Sequence, residues 1–305
     1  MFANQYDVMI VGSGPAGITA ALYGQRLGLR TIVFGDIPGG NLYMIENLMN
    51  FPGFLGGVPG AQFGVKAFQQ AQEDGALFTM SRLERLTRHR GVFQGKDVNG
   101  LDCEAPTVIL ATGRVPKRLP VPNAGMKRIH FCSICDGPLY RGHKATLAVI
   151  GSDNAAGQHA LSLARIARRV LLIFRSDHMK MDAVQRNLIA KQQNLEVRPQ
   201  TEVIGFKGLD LLEGLETQNS AGGRETIAVD GVFMAIGWLP NTKMLEFSVN
   251  TNAEGYVRTD DQLMTSVPGL FAAGDVRDTD MWQVLTACAD GARVAKYVAQ
   301  YLEKH

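Results

Sequence analysis

The chemistry in this 305-residue chain is concentrated in Cys132-Ser133-Ile134-Cys135-Asp136-Gly137. Two thiols separated by two residues can close a small disulfide ring, and exchange requires one of them to persist as a thiolate near neutral pH. Half of a zinc site is a rival reading, but Cys103 and Cys288 form no second C-x-x-C and no histidine pair follows at ligand spacing. A pair of inert core thiols is another, and the carboxylate of Asp136 beside Cys135 weighs against it. Which cysteine attacks a partner disulfide is left open by the spacing.

A second chemical motif opens the chain. Gly12-Ser13-Gly14-Pro15-Ala16-Gly17 follows an apolar strand and precedes a helix, which is the dinucleotide fingerprint. Gly12 allows the tight turn, Gly14 lets the backbone approach a pyrophosphate, Gly17 permits close helix packing, and the helix N-terminus stabilises the negative charge. Asp36 is the nearest acidic residue for a ribose and equally a turn aspartate before Pro38. Near the other end, Asp275 follows the strand-like Gly269-Leu270-Phe271-Ala272-Ala273-Gly274. It is either a helix cap or, paired with the fingerprint, a ligand for the ribitol chain of FAD.

The elements that must position these motifs occur twice. Strand 7–11, a glycine turn, helix 18–27 and strand 31–34 form one βαβ unit; strand 144–150, the turn Gly151-Ser152-Asp153-Asn154-Ala155-Ala156, helix 157–167 and strand 170–174 form another. Val108 to Pro116 also aligns with Val232 to Pro240, Val, Ala, Gly and Pro keeping identical spacing in two late strands that leave through Gly-x-x-Pro turns. An α/β fold of two Rossmann-like (FAD/NAD(P)-binding) domains is expected, the second inserted in the first. Residues 1–113 and 248–305 would form the FAD-binding domain and 114–247 the inserted, C-x-x-C-bearing one.

Composition narrows the class. Hydrophobic residues make up 46% of the chain, enough to give each domain its own core. No apolar run reaches the roughly eighteen residues of a membrane span, and residues 1–7 hold no basic region or cleavage site, so a cytoplasmic location and no membrane partner are expected. Four cysteines, two of them in one C-x-x-C, fit a reducing compartment. The net charge of +2 and the cluster Arg82, Arg85, Arg88, His89, Arg90 fall short of a nucleic-acid footprint. An acidic protein could land there or near Lys117, Arg118, Lys127 and Arg128.

In order and spacing these motifs resemble the low-molecular-weight thioredoxin reductase family over essentially the whole chain. The matching residues are Gly12 to Gly17, Gly39-Gly40-Asn41, Asn50-Phe51-Pro52-Gly53, Ala111-Thr112-Gly113, Cys132 to Gly137, Ala235-Ile236-Gly237, and Gly274-Asp275 with Gln283. The resemblance implies FAD in the first domain, with Val284 also at its site, and NADPH with the dithiol in the inserted one. It further implies a homodimer, a thioredoxin-like protein as substrate, and an acid-base role for Asp136, protonating a leaving thiolate.

The chain departs from that family in its second half. Where the family has Gly-x-Gly-x-x-Ala, Asp153 replaces the glycine that approaches the pyrophosphate, adding a side chain and a like charge. Where the family clamps the 2′-phosphate with His-Arg-Arg and a later Arg, this chain has Phe174-Arg175-Ser176 and Lys180. The two tryptophans, Trp238 and Trp282, replace a small or polar residue and an Arg at positions expected to border the flavin. They are either ordinary core residues or an aromatic platform for the flavin or for a second flavin. Such departures resemble those of ferredoxin-linked and diflavin-linked disulfide oxidoreductases. The expected function is therefore reduction of a thioredoxin-like disulfide with electrons from ferredoxin or a second flavin. The rivals are a conventional NADPH enzyme, a flavin thiol oxidase, whose C-x-x-C is typically followed by His, and a non-catalytic redox sensor.

Overall fold

The computed structural model describes residues 6–45, 48, 50–131 and 133–305, the side chains of Ile134 and Cys135 excepted. The chain divides into two compact units, residues 1–115 with 239–305, and residues 116–238. Residues 239–247, grouped with the inserted domain by sequence, belong to the first unit. There the Leu86 N–H donates to the Met244 carbonyl at 2.7 Å and the Glu246 N–H to the Leu86 carbonyl at 3.0 Å, tying that stretch to the strand Leu83–His89.

Among the described residues, the first unit is built on a five-stranded parallel sheet in the order Leu270–Ala272, Thr107–Leu110, Val8–Val11, Thr31–Phe34, Leu77–Phe78. Its strands are apolar without alternation because both faces are covered. Val8, Ile10 and Val33 pack with the helices Pro15–Arg26 and Val284–Leu302. Met9, Val11, Ile32 and Phe34 pack on the other face against an antiparallel sheet of Leu83–His89, Val92–Asp97 and Asp102–Ala105.

The second unit repeats this plan. Leu195–Arg198, Arg169–Ile173, Thr146–Ile150, Gly231–Met234 and Ile129–His130 form its parallel sheet, and Thr201–Lys207, Gly214–Asn219 and Arg224–Ala228 its antiparallel one. Leu147 and Val149 face the helix Asn154–Ala164, while Ala148 and Ile150 face Phe206 and Leu215 of the antiparallel layer. The two parallel sheets carry the βαβ units at equivalent places, as the internal repeat requires. No helix among the described residues is long and apolar enough to cross a membrane.

Candidate active site

Sterics build the first glycine turn. Gly12 has φ 117°, and a Cβ on it would lie 2.2 Å from the Ala111 carbonyl oxygen; one on Gly17 would lie 1.8 Å from the Gly12 carbonyl oxygen. Strand, turn and helix close this tightly only without those side chains. Gly14 has another reason to be there. It precedes the helix Pro15–Arg26 with open space where its Cβ would be, and no side chain caps that helix. Its first N–H groups are left to an acceptor from outside.

Most of the other residues singled out in the sequence gather at this end of the first sheet. The Gly39 N–H donates to the Ser13 carbonyl at 2.8 Å, and a Cβ on Gly40 would come within 3.2 Å of the Gly14 Cα. Ser13 Oγ donates to the Ile37 carbonyl at 2.8 Å, so this hydroxyl braces the turn. A Cβ on Gly274 would lie 2.9 Å from that of Ala16. Asn41 Nδ2 donates to the Arg114 carbonyl at 3.0 Å and Thr112 Oγ1, just before Gly113, to the Asn241 carbonyl at 2.6 Å. Asn50 Nδ2 donates to Gln283 Oε1 at 2.9 Å, and Gln283 closes a capping box with Thr286 ahead of Val284. Asp36 is half-exposed and lies 3.8 Å from Arg82 Nε, an ion pair of little weight.

Asp275 and Trp282 share one partner. Asp275 accepts from Arg114 at 3.1 Å; burial pushes its carboxyl above the ordinary range while the guanidinium pulls it back. The same guanidinium stacks 5.1 Å from the Trp282 ring, which also meets the Tyr256 ring at 5.3 Å. Trp282 Nε1 is buried and has no hydrogen-bond partner among the described residues. An orphaned donor of this kind fits a site that takes an acceptor from a bound molecule.

In the second unit the corresponding turn keeps its tightness but not its opening. Gly151 has φ 146°, with a notional Cβ 2.1 Å from the Ala235 carbonyl oxygen. Asp153 precedes its helix as Gly14 does, and its Oδ1 accepts the Ala156 N–H at 3.0 Å. This cap starts the helix at Asn154, three residues before the sequence-based boundary. Nearby, Arg175 is 79% exposed and 3.7 Å from Glu202, and Ser176 Oγ donates to the His178 carbonyl.

Cys132 and the Cys135 side chain lie outside the described residues, but the frame around them does not. The short helix Ser133–Asp136 is held at both ends by histidines. At its start, His159 Nδ1 accepts the Ser133 N–H at 3.2 Å and the Ser133 hydroxyl at 2.7 Å. Burial lowers the His159 pKa, against an opposing pull from Asp153. At its end, Asp136 Oδ2 lies 3.0 Å from His130 Nδ1, and His130 Nε2 lies 2.9 Å from Tyr140 Oη. Burial again lowers the His130 pKa, outweighing Asp136, so the imidazole is neutral near pH 7. Asp136 is itself 37% exposed.

The fold has known counterparts. The family model for pyridine nucleotide-disulphide oxidoreductases matches residues 6–291. The chain belongs to this family. It is 32% identical to the Clostridium pasteurianum protein named "34.2 kDa protein in rubredoxin operon", over 98% of each chain. It is 31% identical to Bacillus subtilis thioredoxin reductase, over 98% of this chain and 95% of that one. The crystal structure of Lactococcus lactis thioredoxin reductase superposes with a TM-score of 0.88 at 26% identity, covering 99% of this chain and 100% of that one.

As a disulphide oxidoreductase of the low-molecular-weight thioredoxin reductase type, this enzyme has one open nucleotide turn and one capped from within. Sequence reasoning missed His130, Tyr140 and His159. The signals were faint: His130 stands two residues before Cys132, and His159 lies on the helix that the degenerate turn begins. Among the described residues no group of three His, Cys, Asp or Glu is placed to hold a metal.

Proposed function

We propose that this chain is an FAD-dependent oxidoreductase that reduces a thioredoxin-like disulfide through Cys132 and Cys135 without drawing on NADPH. Its electrons come from ferredoxin or a second flavin, and it works as a homodimer. FAD fits the first unit: the pyrophosphate suits the uncapped helix after Gly14, and Asp275 suits the ribitol chain. Gly39, Gly40, Thr112, Gly113 and Gln283 lie around them, and Trp282 Nε1 offers an unused donor. Bound there, FAD supplies the link between a one-electron donor and two-electron dithiol chemistry.

One observation carries the exclusion of NADPH, the Asp153 carboxylate on the Ala156 N–H. A helix N-terminus offers its donors to an anion, and here a side chain of the protein already holds one of them. A diphosphate must displace that carboxylate or lie against it, and like charges in contact cost several kcal/mol. The 2′-phosphate fares no better, since exposed Arg175 is paired with Glu202 and Lys180 lacks a planar fork of donors. In favour of a conventional NADPH enzyme stands the intact tight turn at Gly151. Exposed Lys117, Arg118, Lys127 and Arg128 offer an acidic carrier a landing surface.

The exchange needs only this chain's thiols and acid. One cysteine thiolate attacks the substrate disulfide and releases a thiolate, which Asp136 protonates; the second cysteine then closes the enzyme disulfide and frees the other substrate thiol. Anaerobic visible spectra of the purified holoenzyme test the donor. Reduced ferredoxin or dithionite is expected to bleach the flavin within seconds, whereas NADPH and NADH leave it oxidised. Rapid bleaching by NADPH would return the protein to the conventional class.

A further inference from the structure

The strand Ile129–His130 pairs with Gly231–Met234 so that His130 stands opposite Phe233, and this register stacks the two rings at 4.9 Å and 27°. The stack fixes the imidazole plane with one nitrogen toward each neighbour, Nδ1 at 3.0 Å from Asp136 Oδ2 and Nε2 at 2.9 Å from Tyr140 Oη. Tyr140 can come this close because its neighbour is Gly231, where a Cβ would lie 2.3 Å from the phenol oxygen. Beyond Tyr140 and His130 lies a cleft of about 390 Å³, walled by Arg128, His143, Lys144 and Asp230 among others. The three residues thus run from this cleft to the acid beside Cys135.

We propose that Tyr140 and His130 form a proton relay that resupplies Asp136 from this cleft during dithiol–disulfide exchange. The relay rests on the acid role given to Asp136 above. Tyr140 keeps its proton, burial having pushed its pKa up to about 12, so it donates to Nε2 and leaves the Nδ1–H facing the Asp136 carboxyl. When Asp136 gives its proton to a released thiolate, it becomes a carboxylate facing a donor. His130 passes the Nδ1 proton to it as Nε2 takes one from the cleft, through the Tyr140 hydroxyl or from water. The chain resets when Nε2 returns its proton to the cleft and Nδ1 takes another from water on the exposed side of Asp136. Protons balance and no electron moves. His130 acts through Asp136, as a positioning and proton-supplying residue. The charged or titratable groups facing it are Asp136 and Tyr140 and, across the cleft, Arg128, His143, Lys144 and Asp230; Phe233 on its flat face is apolar.

The test uses dithionite-reduced holoenzyme mixed anaerobically with two disulfide probes. Hydroxyethyl disulfide releases an alkyl thiolate that must be protonated; 5,5′-dithiobis(2-nitrobenzoate) releases an aryl thiolate that leaves without a proton. His130→Gln keeps an amide donor for Asp136 but cannot shuttle protons, and Tyr140→Phe keeps the ring. Both variants are expected to slow hydroxyethyl disulfide by at least about tenfold, with a steeper fall above neutral pH, and to leave the aryl probe within about twofold. Equal rates with both probes in both variants, or equal slowing of both probes, would overturn the relay. Asp136→Asn separates the two ideas: if it slows only the alkyl probe while His130→Gln does not, the acid stands and the relay falls. If Asp136→Asn slows neither probe, the acid role falls and the relay with it.

Discussion

Gly14 and Asp153 occupy one backbone position in two copies of the same turn, each with ψ −176° immediately before a helix. One leaves the helix start bare and the other closes it with a carboxylate 3.0 Å from the Ala156 N–H. Replacing a capping Asp with Gly costs only a few tenths of a kcal/mol, where Ala costs about 1 kcal/mol. Asp153→Gly is therefore a clean test of the charge. It is expected to fold normally and to speed anaerobic flavin reduction by NADH at least about tenfold, since the removed repulsion is worth several kcal/mol. Adding Ser176→Arg beside Arg175 should shift the preference toward NADPH by restoring a fork for the 2′-phosphate. Unchanged spectra with both coenzymes in both variants would show that the barrier lies elsewhere.

Trp282→Phe addresses the orphaned donor. The ring contacts with Tyr256 and the Arg114 guanidinium survive this change, while the buried Nε1–H is lost. If that donor serves the flavin, the variant loses one hydrogen bond of about 1 kcal/mol, a several-fold weaker flavin Kd. Flavin per chain after exhaustive dialysis reads this directly. Full retention would assign Trp282 to packing and to holding Arg114 against Asp275.

Much of this architecture was legible because its causes are local. The strand-turn-helix around Gly12 and its echo at Gly151 are fixed by sterics that leave glycine or alanine in the sequence, and the parallel strands show as unbroken apolar runs. The departure at residue 153 was also legible, as a charge where the pattern has no side chain. Its new partner was not, because whether a carboxylate repels a ligand or caps a helix depends on the backbone angles that aim it. His130 and His159 were invisible for a stronger reason. Each acquires meaning only through strand register or helix phase that brings it to residues six or twenty-six positions away. The point where the chain re-enters the first unit is harder to read, because residues 239–247 are tied there by backbone bonds such as those of Leu86 with Met244 and Glu246, which no periodicity announces.

Thiol counting checks the division of labour among the cysteines. Burial pushes Cys103 up to about 12 and raises Cys288 as well, with Thr19 only partly offsetting the latter. At pH 8 the thiolate fraction of Cys103 is on the order of one in 10⁴. Brief alkylation of the reduced native enzyme is expected to add two labels, at Cys132 and Cys135, and four once denaturant opens the core. Rapid native labelling of Cys103 or Cys288, seen by peptide mass spectrometry, would show that these thiols are not inert.

The clamp of His159 on Ser133 gives the dithiol segment its own pH limit. Nδ1 accepts two hydrogen bonds there, so protonating it breaks both and sets an N–H against the fixed Ser133 N–H at the start of the C-x-x-C turn. The folded-state pKa lies below the ordinary value of 6.5, so the stabilising contribution is complete above about pH 6.5 and fades as pH falls through the folded pKa. His130 is lowered in the same sense and adds to the trend. Thermal unfolding is thus expected to shift to lower temperature between pH 7.5 and 5.5. His159→Gln, whose amide oxygen still accepts from Ser133 without titrating, should be somewhat less stable at pH 7.5 but flatter across that range. His130→Gln should remove a second part of the slope, and the double variant most of it. The exchange rate with the aryl disulfide probe should fall reversibly with acid in the wild type more than in His159→Gln, because the thiols lose their anchored turn before the fold itself gives way. A His159→Gln profile that keeps the full wild-type slope in both measurements would place the acid-sensitive contact elsewhere in the molecule.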